Sequence, residues 1–281
     1  MSKIIGIVSS YFPNLVELEK NISSYLPSID YLIIWENTPK EKSNIDLLVS
    51  KLNSNKVEVR SSGKNEYLAY PINQCVKWAE NQGFTHILTM DQDSFFLEKH
   101  FEVYRNFIDN NKNDEIAIFS PTLNKVKTNF DTYIEVDNAI TSGTIYALKI
   151  FEKIGCFRED FLIYMIDIEF GIRARLNGYK IFQLSNVNLI HQSGYEKKSK
   201  LGYIINFYSA QSTYYIIRNT ILSWKLYPNQ FPLSDKLIFI KYKVVYRICK
   251  ICFEPNIILK LKAIFLGLIH GCVGKFGRFD I

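Results

Sequence analysis

The sequence predicts an α/β protein with a mostly parallel central sheet, crossover helices on its faces and a helical carboxyl-terminal extension. Three observations carry this. Four short apolar runs alternate with helix-compatible stretches over roughly the first ninety residues, the rhythm of strands joined by crossover helices. The 281 residues are 47% apolar and 15% aromatic, a globular balance in a chain long enough to bury a core without covalent staples. Charge is also unevenly spread: Lys225 to Ile281 holds ten Lys/Arg against three acids, while the rest of the chain holds 24 against 25.

Taken in order, Ile4–Ser9 reads as a buried first strand, and Asn14–Leu26 carries Leu15, Leu18, Ile22 and Leu26 at helical spacing. Tyr31–Trp35 is a strand, Ile45–Leu52 a helix, Val57–Arg60 a strand, Tyr67–Asn81 a helix and His86–Met90 a strand. The rhythm then loosens. Ile116–Ser120, Tyr133–Val136 and Ile140–Ala147 read as strands, Phe151–Ile154 as a short helix, and Asp167–Asn177 as a helix ended by Gly178. Ile181–Leu184 and Val187–Ile190 are strands, and the chain turns helical from Ile204. Leu237–Phe253 and Ile257–Val273 form the last two helices. This gives an α/β domain over residues 1–224 and a basic amphipathic extension over 225–281, with no internal repeat or low-complexity linker.

Five scattered cysteines do not form the even framework of a small secreted domain, and the amino terminus lacks the apolar run of a secretory signal. Both point to a reducing cytoplasm. Cys249 and Cys252 form a lone CxxC without a second pair or a histidine partner, which reads as packing. The twelve uncharged residues Ala263–Gly274 would rise about 18 Å as a helix against roughly 30 Å of hydrocarbon, so no spanning segment is expected.

The chemistry-bearing stretch is Thr89-Met-Asp91-Gln-Asp93-Ser94. Two carboxylates at i and i+2, just past the carboxyl end of a parallel strand, lie on the edge where α/β sheets bind ligands. Oxygen ligands on such a turn suit Mg²⁺ or Mn²⁺ bridging to a diphosphate. A solvated turn with helix-capping aspartates would carry the same residues.

Other motifs follow in a consistent order. Val8-Ser-Ser-Tyr11-Phe-Pro13 resembles a VTYNP element, Ile33-Ile-Trp-Glu36-Asn37 a VVDN, and Asn65 and Asn73 an N-x-G-x-A…N segment. Thr141-Ser142-Gly143-Thr resembles an SG element and Gly155-Cys-Phe157-Arg-Glu159 a GxFDE. Tyr164-Met-Ile-Asp167-Ile-Glu169-Phe-Gly-Ile-Arg173 with Gly178-Tyr179 resembles YxEDxDxxxR…GY, and His191-Gln-Ser-Gly194 an HxxG. Together they resemble the family 2 glycosyltransferases of GT-A fold, with the DQDS form of the rhamnosyltransferase-like members, over about residues 4–194. Departures fall at Glu36 for the usual Asp, Tyr67 for Gly, Arg158 for Asp and Ile166 for Glu.

The resemblance implies an inverting, Mn²⁺- or Mg²⁺-dependent hexosyl transfer from a dTDP- or UDP-sugar, rhamnose foremost, to a hydroxyl of a lipid-linked or growing cell-surface polysaccharide. Asp91 and Asp93 would hold the metal and the donor, with His191 approaching the same ion. Asp167, matching the second acid of the ED pair, would be the general base, although a carboxylate at a helix start is also favoured by the macrodipole. Glu169 and Arg173, four apart, read as a structural ion pair. Ser9, Tyr11 and Glu36, at the ends of the first two strands, would meet the nucleoside, as Asn65 would by resemblance. Ser142 and Gly143 would lie on the acceptor side.

In the tail, Lys241, Lys243, Arg247, Lys250, Lys260 and Lys262 punctuate apolar residues. That pattern reads as helices lying on an anionic bilayer at the inner face of the plasma membrane, lysines towards lipid phosphate. A helical cap on the core is the alternative, and no nucleic-acid-binding motif accompanies the basic residues. Two other functions compete. A haloacid-dehalogenase-like phosphatase also places DxD after a strand, but its motif usually continues to Thr or Val where this chain has Phe95. A non-catalytic membrane-surface scaffold is the other.

Overall fold

In the computed structural model β1 (Ile4–Ser10) has parallel partners on both sides, β2 (Tyr31–Glu36) and β4 (His86–Asp91), with β3 (Val57–Arg60) outside β2. Residues 1–124, 133–191, 195–198, 204–252 and 254–281 are described. The near-continuous apolar character of β1 and β2 follows from burial on both faces, since Ile4, Ile5, Ile7, Val8, Leu32, Ile33 and Ile34 are all inside. Helices α1 (Leu15–Ser23), α2 (Ile45–Leu52) and α3 (Ala69–Asn81) make the crossovers. Asn14 starts α1 by accepting from the amides of Val16 and Glu17 at 3.1 and 3.4 Å.

Beyond β4 the sheet changes direction. After β5 (Ser94–Phe96) and α4 (His100–Asn110) come β6 (Ile116–Leu123), β7 (Tyr133–Glu135), β8 (Thr144–Ala147), α5 (Lys149–Ile154), α6 (Ile166–Leu176) and β9 (Lys180–His191). The strand order is β3-β2-β1-β4-β8-β6-β9-β5, with β7 also on β9. Pairing is antiparallel for β4–β8, β6–β8, β5–β9 and β7–β9, and parallel for β6–β9. The fold is therefore mixed α/β, parallel on the β3 side.

Three local readings change. The two strands expected over Ile181–Ile190 are one, β9, whose register on β6 shifts between Pro121 and Thr122. The strand expected over Ile140–Ala147 starts only at Thr144, because Gly143 turns the chain at φ +79°. Neither β5 nor α4 is in the sequence reading. α4 buries Phe101, Tyr104 and Ile108 at i, i+3 and i+7, and β5 is too short to show a period.

The chain divides into two compact units, residues 1–158 with 170–192 and residues 159–169 with 193–281. The sheet belongs to the first. The second holds the antiparallel pair β10 (Tyr195–Lys198) and β11 (Ile204–Phe207), then α7 (Ala210–Leu226), α8 (Leu233–Phe239), a π-helical stretch Ile240–Val245, α9 (Tyr246–Ile251) and α10 (Ile257–Val273). The expected boundary at 224/225 thus differs from the division between units, which groups 193–224 with the tail. α10 packs on α7 through Gly267 and Gly271, where an added Cβ would come within 3.1 and 2.8 Å of the Ile217 and Ile221 Cβ atoms.

The tail lysines and arginines do not all face outward, which corrects part of the sequence reading. Arg247 and Lys260 are buried and both bind Glu254, which has no exposed side-chain surface. Arg247 grips both carboxylate oxygens, with Nη2 donating at 2.9 Å, and Lys260 Nζ donates at 2.7 Å. Burial pushes the Glu254 carboxyl up, but these two cations outweigh it and hold it below its usual range. Cys249 and Cys252, expected to pack, are exposed.

Because Glu254 neutralises two buried cations, Glu254→Gln should destabilise by about 3–5 kcal/mol, the cost of breaking a buried pair, read as a lower denaturant midpoint. A change below about 1 kcal/mol, within the range of exposed pairs, would mean that the cations reach water.

Candidate functional site

Because β1, β2 and β4 run parallel, Ser9, Ser10, Glu36 and Asp91 end at one edge of the sheet. Ser9 lies in register with Trp35 on one side and Asp91 on the other. Past β4 the chain turns through Gln92 and Asp93 into β5, which pairs antiparallel with the end of β9 and sets Ser94 opposite His191.

That register gathers three side chains of metal-ligating type. His191 Nδ1 lies 3.6 Å from Asp93 Oδ1 and 3.9 Å from Asp91 Oδ2. One ligand atom from each lies within 4.8 Å of the others, the grouping of Asp, Glu, His and Cys that this distance picks out among the described residues. All three side chains are part-exposed, open enough for a ligand. Burial raises the Asp93 carboxyl above its usual range and His191 draws it back in part. Two carboxylate oxygens and an imidazole nitrogen form a donor set that fits Mn²⁺ or Mg²⁺.

Hydroxyl groups hold this cluster from behind. Ser94 Oγ lies 2.7 Å from His191 Nδ1 and 3.4 Å from Asp93 Oδ1. Ser142 is fully buried; it donates to Ser94 Oγ at 2.8 Å and accepts from the Asp91 amide at 3.2 Å. Gly143 donates its N–H to Thr89 at 2.8 Å, and a Cβ there would lie 2.7 Å from Leu189 and 2.8 Å from Pro121. Ser142 and Gly143, assigned to the acceptor side by resemblance, therefore brace the β4 turn. Gln192, Ser193 and Gly194 of the HxxG element lie outside the described residues.

On the β1–β2 side, Tyr11 is exposed and its amide donates to Gln92 Oε1 at 2.7 Å. Glu36 is 3% exposed, and its carboxylate accepts from the Thr38 amide at 2.7 Å and from Ser43 Oγ at 3.1 Å. It closes the loop after β2. Asn65 Oδ1 accepts from the Tyr67 amide at 2.8 Å, and Asn37 spans the same loop, donating to Tyr67 O and accepting from the Glu66 amide, both at 2.9 Å. Tyr67, where the family pattern has Gly, adopts φ +61°. The left-handed turn is kept without the glycine, held by the two asparagines.

Asp167 belongs to the second unit, on the first turn of α6, part-buried, with its Oδ1 accepting from the Ile168 amide at 2.9 Å. Glu169 accepts from Tyr227 Oη at 2.6 Å. Sequence reasoning missed Ser94 and Gln92 as site residues. Both sit inside the DQDS stretch, but their partners His191 and Tyr11 are distant in sequence.

No protein-family model matches this chain. It is 23% identical to the dTDP-rhamnosyl transferase RfbF of Shigella flexneri, over 98% of this chain and 97% of that protein. It is 28% identical to the low-salt glycan biosynthesis hexosyltransferase Agl10 of Haloferax volcanii, over 51% of this chain and 44% of that one. Among solved structures it resembles GalNAc-T7 with UDP, GalNAc and Mn²⁺ (TM-score 0.61, 9% identity, 86% of this chain), spanning about half (54%) of that protein. It also resembles the mannosyltransferase PcManGT of Pyrobaculum calidifontis in complex with GDP-Man and Mn²⁺ (TM-score 0.57, 10% identity, 99% of this chain and 76% of that one). The fold shared with these glycosyltransferases is GT-A.

If Asp91, Asp93 and His191 hold a cation, Asp93→Asn should weaken Mn²⁺ binding at least about tenfold. Ser94→Ala, which keeps all three ligands, should weaken it by about 10–100-fold, the usual effect of removing a ligand's support. Electron paramagnetic resonance titration with Mn²⁺ alone measures both, and unchanged affinity in Asp93→Asn would rule the cluster out as a metal site.

Proposed function

We propose that this chain is an inverting, metal-dependent glycosyltransferase of the family 2, DQDS type. It moves a sugar, rhamnose first among the candidates, from a dTDP- or UDP-sugar to a hydroxyl of a lipid-linked or growing cell-surface polysaccharide. The observation that carries this is the Asp91, Asp93 and His191 cluster at the carboxyl edge of β4. Near-complete overlap with the Shigella rhamnosyl transferase supports the donor class, as do the nucleotide-sugars and Mn²⁺ of the structural neighbours.

Asp91, Asp93 and His191 would hold Mn²⁺ or Mg²⁺, whose chemistry there is to offset the negative charge growing on the departing diphosphate. Ser94 and Ser142 keep the His191 ring and the Asp91 backbone in place. Asp167 accepts the proton of the attacking hydroxyl at its carboxylate, because that hydroxyl's pKa is far above neutrality. Ser9, Tyr11, Glu36 and Asn65 serve the nucleoside side; Glu36 acts by shaping the loop as well as by any bond to the base. Ser142 and Gly143 set the turn that borders the acceptor.

The partner surface is lipid. On α10 the exposed Ile258, Leu261, Phe265, Ile269 and Val273 recur at i+3 or i+4, opposite the packed face of Ala263, Gly267 and Gly271. Leu237, Ile238, Tyr242, Val245 and Tyr246 add exposed apolar surface, and Lys241, Lys243 and Lys262 are exposed among them. An apolar stripe edged by lysines matches an anionic membrane surface, here the cytoplasmic face of the plasma membrane. Among the described residues no helix is long and apolar enough to cross a membrane.

Thermal-shift titration with dTDP-rhamnose, UDP-sugars and GDP-sugars, with and without Mn²⁺, should show stabilisation by a dTDP- or UDP-sugar that depends on the metal. With that donor and a panel of alkyl glycosides as acceptors, Asp167→Asn should lower transfer by about 10²–10⁴-fold at similar donor affinity. Near-normal transfer would assign the proton to another residue. Phe265→Glu with Ile258→Glu should abolish co-sedimentation with phosphatidylglycerol vesicles while leaving donor binding intact; retained co-sedimentation would remove the lipid claim.

A further inference from the structure

The segment leading into α6 is held in a conformation that residues with side chains adopt rarely. Leu162, Tyr164 and Met165 take φ of 68°, 59° and 62°, the left-handed region that glycine favours. Three such residues in four are strained, and strain of this kind persists only where the surroundings over-determine it. Met165 O accepts from the Glu169 amide at 2.8 Å, so the left-handed run ends where the helix begins, two residues before Asp167.

One buried side chain on α7 does the holding. Asn219 is fully buried, and its Nδ2 donates to the carbonyls of Phe161, Ile163 and Tyr164 at 2.9, 2.7 and 3.1 Å. Its Oδ1 accepts from Arg218 Nε at 2.9 Å. Arg218, equally buried, donates to Asp160 O at 3.3 Å and to Gly277 O, and the Gly277 amide donates to Asp160 O at 2.9 Å. Phe161 and Phe276 stack with centroids 6.0 Å apart. Burying an amide and a guanidinium is unfavourable unless their donors are met. Here the Asn219 amide and one guanidinium nitrogen turn to the backbone of one irregular segment, and the other guanidinium donors tie that amide to the chain after α10, so what they specify is conformation rather than packing volume.

We propose that Asn219 is a positioning residue for Asp167: by fixing the segment in which Leu162, Tyr164 and Met165 are left-handed, it sets the direction in which the Asp167 carboxylate leaves the first turn of α6. This rests on Asp167 being the proton acceptor. Arg218 and the segment after α10 lock the same clamp, so the carboxyl-terminal tail reaches the chemistry through it.

The test uses the full-length chain, with dTDP release from dTDP-rhamnose in the presence of the alkyl glycosides as the rate and Mn²⁺ binding as a control. Asn219→Ala should lower kcat by about 10–100-fold, the scale of a small misplacement, with donor KM within about twofold and Mn²⁺ affinity unchanged. Adding Met165→Gly, which takes positive φ without penalty, should recover most of the loss; a merely structural role for Asn219 gives no such rescue. Combining Asn219→Ala with Asp167→Asn should lower transfer no further than Asp167→Asn alone, because both act on one step. Should Asn219→Ala not fold, Met165→Val perturbs the same backbone from the other side, since a branched side chain resists positive φ; it should lower kcat alike. Unchanged kcat in Asn219→Ala or Met165→Val, a loss confined to KM, failed rescue, or multiplying losses in the double variant would each overturn the proposal. Full transfer by Asp167→Asn overturns the proton-acceptor reading instead, and that variant alone separates the two failures.

Discussion

The antiparallel pairing of β5 with β9 is the constraint on which the candidate site depends. A three-residue strand has little stability of its own. It nevertheless sets Ser94, and with it Asp93, directly against His191, 97 residues away in the chain. Because side chains alternate along a strand, a one-residue slip would turn His191 away from the two carboxylates. The register is fixed from both sides. Ser142 bridges Ser94 to the Asp91 amide, and Asn124 and His191 exchange side-chain-to-backbone hydrogen bonds at 3.0 and 3.1 Å. The sheet thus supplies a rigid edge, and a short hydroxyl relay sets the two carboxylates and the imidazole on it.

The second unit uses buried charge and amide groups for a different purpose. Glu254 neutralises Arg247 and Lys260 inside the helical extension, and Arg218 and Asn219 fasten the strained segment before α6. Neither is a cheap way to gain stability, since apolar groups of like volume commonly do as well. Both define geometry. What looks in the sequence like a basic appendage is therefore partly internal wiring, and only the lysines left over, with the apolar stripe of α10, form an outward surface.

The alternation of β1–β4 with crossover helices was legible because apolar runs buried on both faces and amphipathic helices have distinct periods. The same local reading places Asp91 and Asp93 at the carboxyl edge of the sheet, since parallel strands deliver their carboxyl ends to one edge. It failed where the period carries no information. β5 is too short, β9 spans a register shift without a break in apolar character, and Gly143 cuts β8 by a turn at positive φ where Pro121 and Leu189 leave no room for a Cβ. Tyr67 stands where the resembled pattern has glycine, yet the backbone it occupies is the left-handed one that a glycine would take.

By itself the sequence determined the fold class, the edge that carries the carboxylate pair and the excess of positive charge in the tail, because each depends on local periodicity or composition. Only the tertiary structure decided that Ser94 and Ser142 stand behind His191, that Glu36 folds inward onto its own loop, that Arg247 and Lys260 are buried, and that Asn219 grips the segment before Asp167. The physical reason is the same in each case: a polar side chain's role is set by which donor or acceptor it meets once water is excluded, and that partner lies far along the chain.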